Sequence, residues 1–144
     1  MPIKNMSGLE IMQAMMTGDI PTSPIAKTMP MEVSSVKKGN VIFSVKADGR
    51  HINPLGGVHG GFAATVMDSV TGCAIHTMLE PAIGYSTIDL NVKMLRPIPL
   101  NTDLIAEGNV INISKSIAVS EGVLRNSEGK IYAHSTATCM ILRS

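Results

Sequence analysis

The stretch Asn53-Pro-Leu-Gly-Gly-Val-His-Gly-Gly-Phe-Ala-Ala-Thr-Val-Met-Asp68 decides how this chain reads. From about His59 the apolar residues run on to Leu79 without a proline, which predicts one long central helix. Gly60 and Gly61 stand at its start, where unpaired backbone N–H groups and a partial positive charge collect. Asn53 lies just upstream, and Asp68 falls in the middle of the helix. Donors at a helix start polarise a carbonyl oxygen, and a carboxylate nearby handles water. The stretch therefore points to acyl chemistry.

Residues three and four apart share a helix face. Asp68 shares its face with Gly61, Ala64, Thr65, Thr71 and Gly72, all of them small. The bulk lies on Phe62, Val66, Val70 and Cys73. One side is suited to packing on a sheet, and the side bearing Asp68 to close approach by a ligand or a second helix. No Lys or Arg lies within a turn of Asp68, so a local ion pair does not account for it.

Downstream the period changes to two. Ser86, Ile88, Leu90, Val92 and Met94 form one predicted face of a half-buried strand, and Thr87, Asp89, Asn91 and Lys93 the other. Pro97 and Pro99 end it, and Leu104–Ile113, Ser116–Arg125 and Lys130–Leu142 read as three more strands, the last two joined through Asn126–Gly129. Upstream, Asn5–Thr17 reads as a helix stopped by Gly18, Pro21–Pro30 as irregular, and Met31–Val36 and Val41–Ala47 as two strands. The order gives an α+β class, a single domain over residues 1–144 in which an antiparallel sheet wraps a buried helix.

The 144 residues suffice for one real core. A net charge of +1, no Trp, two Tyr and two Phe give no case for nucleic-acid binding. Eleven Met imply an adaptable interior or an apolar groove. Cys73 and Cys139 sit in apolar patterns as small hydrophobes, and no spacing of His, Cys, Asp and Glu reads as a metal site. Phe62–Leu79 carries Asp68 and His76 and reads as a buried helix, not a membrane span. The start lacks a secretory pattern, so a cytoplasmic setting is expected. His51, His76 and His134 read as structural or exposed, whereas His59 is either a general base or a residue that positions the turn.

GGVHGGFAATVMDSVTG followed by GYSTIDLNVKMLRPIP, with the late segment SEGKIYAHSTATCMIL, resembles the PaaI-like branch of the hot-dog acyl-CoA thioesterases, in the 4-hydroxybenzoyl-CoA thioesterase superfamily. Asn53 six residues before His59, Asp68 nine after it and Ser86 eighteen further on make the match more specific than the HGG tripeptide. The resemblance implies a hot-dog fold, a homodimer with two interface sites that pairs again into a homotetramer, and hydrolysis of acyl-CoA with no cofactor, the acyl group being of phenylacetyl type or a medium chain. It implies that the Gly60 N–H binds the thioester oxygen with help from Asn53. Asp68 of the facing subunit would then serve as base or nucleophile, Ser86 would orient it or the water, and His59 would support the loop. Arg96, Lys115 and Arg125 are the candidate cations for CoA phosphates. Two other readings stand beside this one: a hot-dog dehydratase or hydratase, and a non-catalytic acyl-CoA-binding module.

Overall fold

The central helix forms as α3, Gly60–His76, in the computed structural model, which describes residues 2–143. His59 is its N-cap, so the helix begins one residue later than the apolar pattern suggested. It also stops before Leu79. The Thr77 hydroxyl donates to the Ala74 carbonyl, and Met78 and Leu79 bond back three residues, to Ile75 and His76, in a tightened last turn. Phe62, Ala63, Val66, Met67, Val70, Ala74 and Ile75 are all buried, as expected of a helix that is apolar on most of its circumference.

Around α3 lies one antiparallel sheet. Its strands are β1 (Met31–Lys37), β2 (Asn40–Val45), β3 (Gly84–Met94), β4 (Leu104–Ile113), β5 (Ile117–Arg125) and β6 (Ile131–Leu142). They run in the order β1-β2-β4-β5-β6-β3, so α3 carries the chain from one side of the sheet to the other. This is the α+β, hot-dog arrangement the sequence implied. No helix among the described residues is long and apolar enough to cross a membrane.

The helix comes unusually near the sheet at one place. Gly108 on β4 and Gly122 on β5 are cross-strand partners. A Cβ on Gly108 would run into the Val70 carbonyl oxygen and lie 2.8 Å from its carbon. One on Gly122 would lie 2.8 Å from Ser135 Oγ and 3.0 Å from Thr71 Cγ2. Two adjacent strands thus drop their side chains where the α3 backbone rests. Thr71 and Gly72 are buried here, which corrects their assignment to the open face beside Asp68; Gly72 instead receives the Tyr85 ring.

A second correction concerns β3. The pairing with β6 skips Ile88: Thr87 faces Cys139 and Asp89 faces Thr138. The extra residue is a β-bulge, and it reverses the side-chain order on either side of itself. Ser86 pairs with exposed Met140 and points outward, as does Ile88, whereas Thr87 pairs with buried Cys139. Leu90 and Val92 face inward as the period-two pattern expected.

At the N-terminus, α1 (Gly8–Thr17) starts at a capping box between Ser7 and Glu10, three residues later than the sequence reading. Gly18, at φ +85°, ends it. The Gly8 N–H donates to the Leu79 carbonyl, and a Cβ there would strike the His76 carbonyl, so α1 is seated against the end of α3. The stretch read as irregular holds one helical turn, α2 (Ile25–Thr28).

Gly108→Ala is expected to cost about 2–3 kcal/mol, because the helix backbone has no way to yield locally. Gly49→Ala, where a Cβ meets nothing within 4 Å, should change stability by less than about 0.5 kcal/mol. Urea unfolding of the two variants checks this; equal midpoints would mean the helix is not seated on Gly108.

Candidate functional site

The loop before α3 is held by its own polar groups. Asn53 Oδ1 accepts from the N–H groups of Leu55 (2.9 Å) and Gly57 (3.2 Å), which fixes the orientation of the amide. Its Nδ2 has no acceptor among the described residues, and Asn53 lines a recess of about 480 Å³ together with Gly60, Ala63, Met94, Arg96 and Tyr132. His51 is buried under the loop. Its Nδ1 accepts from the Asp48 N–H (2.9 Å), its Nε2 donates to the Thr28 carbonyl (2.5 Å), and its own carbonyl accepts from the His59 N–H (2.7 Å). It is structural, as read from the sequence.

The two glycines at the helix start divide the work. His59 Nδ1 accepts from the Gly61 N–H at 2.7 Å, and a Cβ on Gly61 would sit 2.9 Å from that nitrogen. His59 is therefore a capping residue; its Nδ1 lone pair is already taken. The Gly60 N–H has no acceptor among the described residues, as expected of a first-turn amide. A Cβ on Gly60 would meet Met94 Sδ at 2.7 Å, the end of a flexible chain, so Met94 closes the space beside the Gly60 Cα. The Gly60 N–H and Asn53 Nδ2 are two free donors on one recess, a pair that can hold an oxygen gaining negative charge.

Asp68 is not in that recess. It lies eight residues along α3 from Gly60, about 12 Å at the helical rise, and is exposed in the protomer. It lines a second recess with Ser69, Cys73, Tyr85 and Thr87. Burial pushes the Cys73 thiol up to about 12, with the Asp68 charge adding to the rise, so this cysteine is no nucleophile. Burial likewise raises the Tyr85 phenol, and the charges of Cys73, Cys139 and Asp68 act in the same direction. Tyr85 and Thr87 were not singled out from sequence. The bulge at Ile88, invisible to a strict period of two, is what turns Thr87 to this wall and Ser86 away from it.

The cations separate. Arg96 lines the Gly60 recess and donates to the Ile131 carbonyl at 2.6 Å, leaving further N–H groups for a ligand. Arg125 is held by Glu107 at 3.0 Å. Lys115 sits in the β4–β5 turn, where its carbonyl accepts from Arg143. That is the Gly84 end of the sheet, opposite the Met94 end that closes on Gly60. His76 stacks at a tilt on Tyr85, and burial lowers its pKa; His134 meets Glu121 at 3.4 Å. Among the described residues no group of His, Cys, Asp and Glu is placed to hold a metal ion.

A family model described as the thioesterase superfamily matches residues 55–133, which span the end of the loop, α3, the strands β3, β4 and β5 and the start of β6. Human acyl-coenzyme A thioesterase 13 is 30% identical over 105 residues, 72% of this chain and 74% of the relative. A phenylacetic acid degradation-related protein from Ralstonia eutropha superposes with a TM-score of 0.81 at 28% identity, covering 90% of this chain and 98% of its own. A hypothetical thioesterase from Streptococcus pneumoniae, solved with coenzyme A, shares the fold at a TM-score of 0.72 and 19% identity, over 79% and 88% of the two chains.

A capping role for His59 has a measurable signature. His59→Ala should lower stability by about 1 kcal/mol in chemical denaturation, and His59→Asn, which caps well, by a few tenths. An alanine variant as stable as the parent would remove the cap from this account.

Proposed function

The chain belongs to the thioesterase superfamily and is a thioester hydrolase, and we propose that it cleaves acyl-CoA at sites shared by two copies of itself. The observation that carries this reading is the pair of unused donors, Gly60 N–H and Asn53 Nδ2, set about 12 Å along α3 from the exposed carboxylate of Asp68. A carbonyl carbon bound to the donors is out of reach of Asp68 in the same chain. It is within reach of Asp68 from a second copy docked along the open strip of α3 at Ala64, Thr65 and Asp68.

In this site the thioester oxygen lies on the Gly60 N–H and Asn53 Nδ2. Asp68 of the facing copy takes a proton from water as the water oxygen bonds to the carbonyl carbon. The oxyanion collapses, the C–S bond breaks, and the CoA thiolate leaves and is protonated. The products are the free acid and CoA. A thioester carbonyl is already electrophilic, so one base, one positioned water and two donors suffice without a cofactor. To Thr87, on the Asp68 wall with its hydroxyl 3.6 Å from Cys139 Sγ, this reading assigns the water, the role the resemblance had given Ser86. Arg96 is the cation that lines the donors' recess and the one assigned to a CoA phosphate. The assembly is a two-fold dimer that pairs again into a tetramer. The free cysteines Cys73 and Cys139 suit a reducing, cytoplasmic setting.

Asp68→Asn should lower kcat for thiol release by on the order of 10²–10⁴ with little change in thermal stability. Gly60→Val should also abolish turnover and still fold, since the added side chain displaces only Met94. Mixing the two inactive variants under subunit exchange should restore about a quarter of wild-type activity, because half the dimers are mixed and each carries one intact site of two. A mixture that stays inactive while dimers exchange would place the whole site in one chain.

Thr87→Ala should cost about tenfold in kcat, the worth of one hydrogen bond to the reacting water, and Ser86→Ala less than about twofold. The reverse order would return the role to Ser86.

A further inference from the structure

Resting on that reading, we infer that the recess beside Asp68 holds the acyl group and limits it to about seven carbons beyond the carbonyl, the limit being set by α1 and α2. The recess forms where the two free edges of the sheet curl toward each other across α3. Met31 and Val33 of β1 and Phe43 of β2 supply one wall, and Met12, Met15 and Ala26 supply the roof. Asp68 and Thr87 stand at the opposite wall, from α3 and from β3.

Charge decides what enters. No Lys or Arg lines this recess, so it offers nothing to the phosphates of CoA. Arg96 lines the other recess. A space lined on one side by Met12, Met15, Met31, Val33 and Phe43, with Thr22 and Ser23 at the roof and Asp68, Ser69, Tyr85 and Thr87 opposite, fits a neutral, largely apolar group whose reactive carbon stops at the Asp68 wall. That is the acyl half of a thioester.

Volume sets the size. The recess measures about 210 Å³. An apolar cavity of about 150 Å³ takes benzene. At roughly 30 Å³ per heavy atom, the share of a water in its liquid, the recess holds about seven atoms. An octanoyl tail or a benzyl group fills it, and a palmitoyl tail exceeds it about twofold. Flexible methionines at Met12, Met15 and Met31 let a ring or a chain occupy the same space.

The roof is fixed rather than loose. Met12 is 1% exposed, and the contact of Gly8 with the end of α3 ties α1 down. All of α1 and α2 precedes residue 55, where the match to the family model begins. Acyl capacity is thus set by a part of the chain separate from the part that carries the chemistry.

The test measures kcat/KM for butyryl-, hexanoyl-, octanoyl-, dodecanoyl-, palmitoyl- and phenylacetyl-CoA, beside thermal melting. Wild type should use octanoyl- and phenylacetyl-CoA at least about tenfold better than palmitoyl-CoA, since a group that overruns a pocket by one methylene already loses about that much. Ala26→Leu, which adds three carbons to the roof, should lower the octanoyl-to-butyryl ratio at least about tenfold. Met15→Ala, which removes three heavy atoms, should raise the dodecanoyl-to-octanoyl ratio by a similar factor. Folded variants with wild-type ratios, or a wild type that prefers palmitoyl-CoA, overturn the assignment and leave the hydrolase standing. If one variant fails to melt cooperatively, the other decides. No thiol release from any of the six substrates overturns the hydrolase reading and the assignment together.

Discussion

The contact between the α3 backbone at Val70–Thr71 and the paired glycines Gly108 and Gly122 is the constraint on which the remaining geometry depends. A helix on a sheet normally rides on a layer of side chains. Here two neighbouring strands remove that layer at one point, and the helix sinks toward the sheet. Thr71 then fills the space above Gly122 and Ser135, and Phe62, Val66 and Ala74 bury on either side of it. With the helix this deep, the flanking strands wrap it until β1 and β3 contribute to a common recess. Asp68 lies two residues before the contact, on the side turned away from it. The position of the carboxylate is therefore fixed by the backbone of the sheet, not by side chains that could repack.

The length of α3 separates what the chemistry has to combine. Free amide donors occur at a helix start, because only there do N–H groups lack intrahelical acceptors. A carboxylate two turns further along escapes both the cap and the sheet. A single chain presents these groups about 12 Å apart, too far for one carbonyl. In the proposed dimer a two-fold axis beside the helix resolves this, since an antiparallel second copy would set the middle of its own α3 against the start of the first. In this reading the open strip of Ala64, Thr65 and Asp68 serves at once as interface and as active site. The residues need to be small for the first role, which leaves room for the second.

Most of the fold was legible because the signals were local. The apolar run after Gly61, the prolines at 97 and 99, and the turn at Asn126–Gly129 each act within a few residues, and the observed elements begin and end within three residues of them. What escaped the sequence was long-range. Gly108 and Gly122 stand fourteen residues apart, and each alone is an unremarked strand glycine; their meaning lies in a register that only the paired sheet reveals. Thr71 and Gly72 share a helix face with Asp68 by angle, yet the face is not uniformly open, because Tyr85 from a distant strand covers part of it. Asn53, Gly60 and Asp68 could be picked out as candidates because their chemistry is tied to the helix start or to its apolar context. Thr87 could not, since its direction depends on one unpaired residue beside it.

That residue, Ile88, does more than redirect a hydroxyl. A strand is a two-state alphabet in which each position is inside or outside, and an insertion or deletion anywhere normally inverts every letter beyond it. The bulge is a parity break already present in β3. It separates the strand into two segments with independent phase: Gly84–Thr87, which faces the Asp68 recess, and Asp89–Met94, which packs on the core and reaches the cover over Gly60. The first segment can exchange which residue it shows to the Asp68 recess without disturbing the second. Drift in the wall of the Asp68 recess is thereby insulated from drift in the core, and a single strand can serve two selective pressures at once.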